Sequence, residues 1–194
     1  MTHRLVYVVG PSGAGKDSVL EGLARYLPSD ARLRWARRTI TRPPQLQGEQ
    51  HEPMEVHAFS QSLQRGDFAI HWSANGLHYG IRQRELTSLM SGAWVFVNGS
   101  REHVPTLLAA FPKATIIHIT ASPDMLRHRL LARGRETQED IDARLERAER
   151  FPLPRGAIEV RNDGTLDECV QALAHALRQL DEWPEAMVAG LCAK

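Results

Sequence analysis

Residues 5–18 read Leu5-Val6-Tyr7-Val8-Val9-Gly10-Pro11-Ser12-Gly13-Ala14-Gly15-Lys16-Asp17-Ser18, and the apolar positions Val19, Leu20, Leu23, Tyr26 and Leu27 follow at helical spacing. An apolar run, a glycine-rich loop and a helix in that order are what a phosphate-binding loop needs, because backbone N–H groups have to converge on an anion at a helix N-terminus. The stretch predicts a buried strand, a loop that grips a nucleoside triphosphate, and a first helix. Gly10, Gly13 and Gly15 allow a tight turn and a close approach of backbone to phosphate, with Pro11, Ser12 and Ala14 completing the loop. Lys16 brings an ammonium to the β and γ phosphates. The position after the lysine is normally Ser or Thr, whose hydroxyl reaches Mg²⁺; here it is Asp17, and a hydroxyl follows only at Ser18. Asp17 either serves the ion, which prefers hard oxygen ligands, or favours the helix N-terminus by its charge, and both readings stay open.

A chain of 194 residues with 42% apolar content is enough for one domain with a small insertion. Its 24 basic and 23 acidic side chains leave a net charge of +1, so no overall field recruits nucleic acid or a membrane, and neither is expected as a partner. Lys16, Lys113 and Lys194 are the only lysines; the other basic residues are arginines, which suit bidentate gripping of phosphate. Cys169 and Cys192 have no metal-ligand spacing and suggest no disulfide framework, and the nine histidines form no metal box. The first strand begins almost at the N-terminus and no apolar run approaches a membrane span, so a reduced, cytoplasmic setting is expected. Oligomeric state stays open between monomer and homodimer.

Along the chain, residues 33–40 read as a second strand ending at Thr41-Arg42-Pro43-Pro44, and residues 45–57 as an exposed loop or hairpin. Ser60 is expected to cap a short helix. The runs 68–72 and 77–80 flank Asn75-Gly76 and predict a hairpin. A helix over 82–91, strands at 93–97 and 115–119, helices over 122–133 and 138–150, a strand near 157–160 and a helix over 166–180 complete the pattern. Continuous rather than alternating apolar strands argue for a parallel sheet covered on both faces. The expected fold is a three-layer, doubly wound α/β domain with its ligands beyond the carboxyl ends of the strands.

The loop at 10–18, the corner Thr39-Ile40-Thr41-Arg42-Pro43-Pro44, the segment from Trp72 to Tyr79-Gly80, and Arg133-Gly134-Arg135 before a helix containing Arg144-Leu145 together resemble guanylate kinase and its nucleoside monophosphate kinase-like relatives. The resemblance implies a P-loop domain over residues 1–182 that uses ATP and Mg²⁺. It also implies an acceptor-binding insertion near 38–92, an arginine-bearing lid near 133–144 and a tail at 183–194. By the same resemblance Arg133, Arg135 and Arg144 close on the transferring group, Arg42 and Tyr79 hold the acceptor phosphate, and Asn162 falls where the family contacts adenine. An ordinary turn at Asn162-Asp163-Gly164 is the other reading of that last segment.

The chain departs from the guanylate kinases selectively. The second phosphate-holding arginine falls on Gln45 and the first tyrosine on or near His57; the guanine-reading glutamate is His71, and the two aspartates after the next strand are Phe96 and Asn98. A pocket for guanine needs carboxylates to accept its N–H donors, so guanylate is a poor acceptor for this one. A neutral or protonatable His71 in place of a glutamate, and Asn98 at its position, remove repulsion toward an anion. The loop together with Val97-Asn98-Gly99-Ser100-Arg101 looks like the ribose 1,5-bisphosphate phosphokinases of bacterial phosphonate breakdown. That likeness implies a phosphorylated sugar as acceptor, with His71, Asn98, Ser100 and Arg101 as further candidates for holding it. Of Arg37 and Arg38, neighbours in a strand, at most one faces such a pocket.

Overall fold

The computed structural model describes residues 2–27, 32–43, 51–134, 137–149, 151 and 154–184. In chain order its elements are β1 (Leu5–Val9), α1 (Lys16–Tyr26), β2 (Leu33–Trp35), β3 (Arg38–Ile40), β4 (Glu52–Pro53), α2 (Val56–Gln64), β5 (Phe68–Ala74), β6 (Leu77–Arg82), α3 (Gln83–Leu86), β7 (Trp94–Asn98), α4 (Val104–Ala110), β8 (Thr115–Thr120), α5 (Pro123–Arg133), α6 (Gln138–Glu149), β9 (Ile158–Arg161) and α7 (Leu166–Arg178). Five strands form a parallel sheet in the order β2-β7-β1-β8-β9, and four form a mixed sheet in the order β4-β3-β6-β5. β1 and β7 are buried at every position, which is why their sequences run apolar without alternation. The α/β class with a parallel sheet is the expected one.

Two units emerge from the contacts. One comprises Met1–Val8 and Ala31–Thr115, the other Val9–Asp30 and Ile116–Lys194. In the first unit β5 and β6 form the predicted hairpin, and Asn75 and Gly76 take φ of 53° and 73°, the left-handed pair that a two-residue turn of this twist demands. Phe59 of α2 stacks on Phe68 of β5, ring centroids 4.6 Å apart, covering one face of the mixed sheet. In the second unit Ser122 caps α5 through a bond from Met125 N with Pro123 at its first turn, while Thr165 and Glu168 form a capping box on α7. Those caps explain why both helices begin where the sequence suggests.

Several expected elements differ. The single strand over 33–40 is two strands in different sheets: β2 pairs with β7, and β3 pairs with β4 and β6. The break falls at Arg37, whose N–H donates to the Glu85 carboxylate (3.0 Å) instead of to a neighbouring strand. Ser60 does not cap a helix: it lies inside α2, which starts at Val56, and its hydroxyl donates back to the Val56 carbonyl (3.1 Å). The helix expected over 82–91 shrinks to α3 and a 3-10 turn at Thr87–Leu89, because Arg82 stays in the β5–β6 ladder and its guanidinium is held by Glu52. Residues 52–53 of the expected loop form β4. Residues 44–50, including Gln45, and 185–194, most of the tail, lie outside the described residues.

Cys169 is a buried free thiol, and Cys192 lies outside the described residues. Among the described residues, no helix is long and apolar enough to cross a membrane, and no group of three or more His, Cys, Asp or Glu side chains could hold a metal ion.

Candidate functional site

The phosphate-binding loop belongs to the second unit, and its shape follows from what surrounds its glycines. Gly15 sits at the N-cap of α1 with φ 82°, a left-handed conformation that favours glycine, and a Cβ there would meet Asn162 Nδ2 at 2.7 Å. At Gly10 a Cβ would overlap the Ile119 carbonyl of β8. Lys16 folds back over the loop, its Nζ donating to the carbonyls of Gly10 (2.9 Å) and Pro11 (3.3 Å). Asp17 and Ser18 both lie exposed in the first turn of α1, so each offers an oxygen to solvent at the helix N-terminus. A cradle too narrow for any side chain, a cation folded over it and hard oxygens beside it fit the phosphates of a nucleotide with Mg²⁺.

Asn162, expected near adenine or in a plain turn, is buried. Its amide donates to the Ala14 carbonyl (2.8 Å) and its N–H to Thr120 O (2.8 Å), so it braces the loop from the end of β9. Next to it, Asp163 accepts the Ser122 N–H (2.6 Å) and ties the start of α5 to the same corner. Arg144 of α6 also reaches the loop: its Nη1 donates to Ser12 Oγ at 2.7 Å across 132 residues of sequence. Arg133 is the last residue of α5, which Gly134 closes in the left-handed conformation (φ 61°); the side chain of Arg133 and all of Arg135 lie outside what is described.

The acceptor candidates belong to the first unit, where the register of the hairpin sorts them. Trp72 pairs with Tyr79 and His71 with Gly80, so Trp72 and Tyr79 share one face while His71 stands exposed on the other. The Trp72 and Tyr79 rings lie parallel within 2°, centroids 5.2 Å apart. Arg38 of β3 shares the Tyr79 face, because Ile40 pairs with Tyr79 and Arg38 with Ile81, and its guanidinium carbon lies 5.6 Å from the Tyr79 ring centroid. Thr39, on the opposite face, donates to Glu52 (3.2 Å), which also binds Arg82 and Arg84. Arg42 keeps its Nε shielded from solvent, with no hydrogen-bond acceptor among the described residues.

His71 and Ser100 meet at a cavity of about 540 Å³ between the edge of β5 and the segment from Ser100 to Phe111; Arg42, Tyr79, Asn98 and Arg101 do not line it. Asn98 ends β7 buried, on the face of Phe96 rather than that of Val97 and its partner Tyr7. Arg101 opens the 3-10 turn Arg101–His103.

Sequence reasoning missed Tyr7 and His103. Ser100 N donates to the Tyr7 hydroxyl (3.1 Å), and that hydroxyl lies 3.2 Å from His103 Nδ1, while the His103 ring also packs on Trp72 (5.8 Å). The phenol oxygen accepts from Ser100, and it shares a hydrogen bond with His103 Nδ1 whose direction follows the imidazole tautomer. A tyrosine inside an otherwise aliphatic strand was the available signal, since a buried hydroxyl needs partners. Burial pushes the Tyr7 phenol well above its ordinary value, so it remains a donor. Burial, with a smaller push from His71, holds His103 below the usual imidazole range.

A histidine kept neutral by burial is protonated first in the unfolded chain. Stability is therefore full above the unfolded value near ~6.5 and falls as pH drops through it toward the lower folded value. Urea midpoints measured from pH 7.5 to 5 should decline for the native protein and decline less for His103→Gln. Identical pH slopes in the two proteins would contradict the assignment.

The parallel sheet, the left-handed glycine opening the first helix and the lysine folded over the loop define a P-loop nucleotide-binding protein. Known proteins narrow this further. A family model described as guanylate kinase matches residues 2–180. A ribose 1,5-bisphosphate phosphokinase PhnN of Thiobacillus denitrificans is 41% identical over 179 residues, covering 92% of this chain and 94% of that protein. A protein of the same name from Azotobacter vinelandii is 41% identical over 181 residues, covering 92% and 98%. The crystal structure of guanylate kinase from Anaplasma phagocytophilum superposes with a TM-score of 0.64 at 14% identity, over 90% of this chain and 84% of that one, a likeness of fold alone. The chain belongs to the guanylate kinase family, in the branch that includes these two phosphokinases, and it is a kinase. Kinases of this type use ATP, ordinarily with Mg²⁺.

Proposed function

We propose that this kinase transfers the γ-phosphoryl group of ATP to the 1-phosphate of ribose 1,5-bisphosphate, giving 5-phosphoribosyl 1-diphosphate and ADP. The observation that carries the reading is that the positions of the guanine-reading carboxylates hold His71, Phe96 and Asn98, while two of the family's phosphate holders, Arg42 and Tyr79, are kept. A pentose bisphosphate has no base to read, and it gains from an acceptor side without carboxylates at those positions. The names of relatives 41% identical over nearly the whole chain support the same acceptor.

When bound, ATP supplies the phosphoryl group and Mg²⁺ offsets the charge on its phosphates. Lys16 and the loop N–H groups hold the β and γ phosphates, with Asp17 or Ser18 serving the ion. Arg133 and Arg135 in the lid and Arg144 on α6 clamp the transferring group. Arg42 and Tyr79 position the acceptor phosphate; Asn98 and Arg101 are further candidates for the sugar, as are His71 and Ser100 at a cavity that Arg42 and Tyr79 do not line. An oxygen of the 1-phosphate forms the new P–O bond, the bond from the γ phosphorus to the β,γ-bridging oxygen breaks, and ADP leaves with the electron pair. The nucleophile is already anionic, so positioning and charge stabilisation suffice without a strong general base.

ADP release with ribose 1,5-bisphosphate, GMP, dGMP and AMP as acceptors tests this. The bisphosphate should support turnover with kcat/KM at least ~10³-fold above that for GMP, because buried donors of guanine would go unpaired. Phosphorus NMR of the product should show the coupled doublets of a diphosphate. Turnover with GMP alone overturns the acceptor, and no turnover with any acceptor overturns the enzyme reading.

A further inference from the structure

We infer that Arg38 is a second acceptor-binding arginine, holding the phosphate of the sugar that does not react. The inference deepens the proposed function and rests on it. A pentose bisphosphate brings two dianions to the site, and Arg42 with Tyr79 accounts for one. A second dianion taken out of water needs its own cation. The position where guanylate kinases carry their second phosphate-holding arginine is the neutral Gln45.

Register supplies that cation elsewhere. Arg38, Ile40, Tyr79, Ile81 and Trp72 share one face of the mixed sheet, through the pairs Arg38 with Ile81, Ile40 with Tyr79 and Trp72 with Tyr79. On the opposite face Glu52 holds Arg82 by two bonds (2.8 and 2.6 Å) and Arg84 by one (3.2 Å). On the Tyr79 face the Arg38 guanidinium lies over an aromatic ring that is itself stacked on Trp72. A planar cation resting on a rigid ring platform loses little freedom on binding, and its fork matches a phosphate bidentately. Its charge is felt as far as the Tyr7 hydroxyl in the same unit.

Arg38 and Arg42 are four residues apart, at most about 13 Å of chain. β3 ends at Ile40, and Thr41 holds the following bend to β6: its N–H donates to His78 O (3.1 Å) and its hydroxyl accepts the His78 N–H (2.9 Å). Two long guanidinium side chains on that spacing can converge on anions separated by a pentose. Arg38 on the Tyr79 face and Arg42 just beyond the end of β3 together select for a doubly phosphorylated acceptor where a single arginine would accept a monophosphate.

Arg38→Ala and Arg38→Lys are compared with the native enzyme for KM and kcat with ribose 1,5-bisphosphate, and for inhibition by ribose 5-phosphate and by ribose 1-phosphate. Arg38→Ala should raise KM about 100-fold with a much smaller change in kcat, and weaken inhibition by ribose 5-phosphate while sparing that by ribose 1-phosphate. Arg38→Lys should recover part of the loss, a rescue that a purely structural role would not give. An unchanged KM, or equal weakening of both monophosphates, overturns the assignment of Arg38 while leaving the reaction standing. If the native enzyme does not turn over the bisphosphate, the proposed function fails and this inference with it.

Discussion

Lys16→Ala should lower kcat by about a thousandfold or more, while the protein melts within a few degrees of the native one. The separation of those two effects follows from how the loop is built. Its path is set by the left-handed Gly15, by the close pass of Gly10 under the Ile119 carbonyl and by the Asn162 amide on Ala14 O. None of these involves the lysine side chain. The Lys16 ammonium is partly buried and reaches the Gly10 and Pro11 carbonyls, neutral acceptors that a charged donor exchanges readily for the anionic oxygens of a triphosphate. Removing it deletes charge stabilisation where negative charge sits on the transferring group and leaves the cradle standing. Lys16→Arg should not restore the rate, because a broad planar fork does not fit where a compact ammonium folds over the loop. Steady-state kcat, read beside a thermal melt, decides: a variant retaining more than a tenth of native kcat would remove Lys16 from the machinery.

What the sequence disclosed and what it withheld divide along a physical line. β1, the loop and α1 were legible because every residue in residues 5–18 states a local requirement: burial, a tight turn, an anion at a helix N-terminus. The hairpin was legible at Asn75-Gly76 for the same reason, since the turn chemistry is contained in two residues. The break at Arg37 was not, because it depends on a carboxylate 48 residues away competing for one N–H. Nor could the pattern choose between Arg37 and Arg38, which only the pairing of β3 with β6 decides. The placement of His71 opposite Tyr79 likewise rests on register, a one-residue matter that composition does not encode. Asn162, expected at adenine or in a turn, braces the loop, a role out of reach of the sequence because the amide reaches back across 148 residues.

Arg144 distinguishes bracing from chemistry, and Arg144→Ala should lower kcat about 100-fold with a stability loss near 1 kcal/mol. Its Nη1 donates to Ser12 Oγ at 2.7 Å, so two roles are open to it: holding the loop in shape, or bringing a guanidinium to the phosphates that the loop cradles. The loop carries independent supports at both ends, Gly10 against β8 and Ala14 against Asn162, so the Ser12 hydroxyl is dispensable to its shape. Ser12→Ala should accordingly cost only a few-fold in kcat, although it removes the same hydrogen bond. Arg144→Lys should fall between, keeping the charge and losing the fork. α6 brings Arg144 to the loop itself, so its guanidinium can act where the proposed transfer builds transition-state charge and where it is most effective. Were Ser12→Ala as damaging as Arg144→Ala, the arginine would be a brace for the loop, and the clamp would have to consist of Arg133 and Arg135 alone.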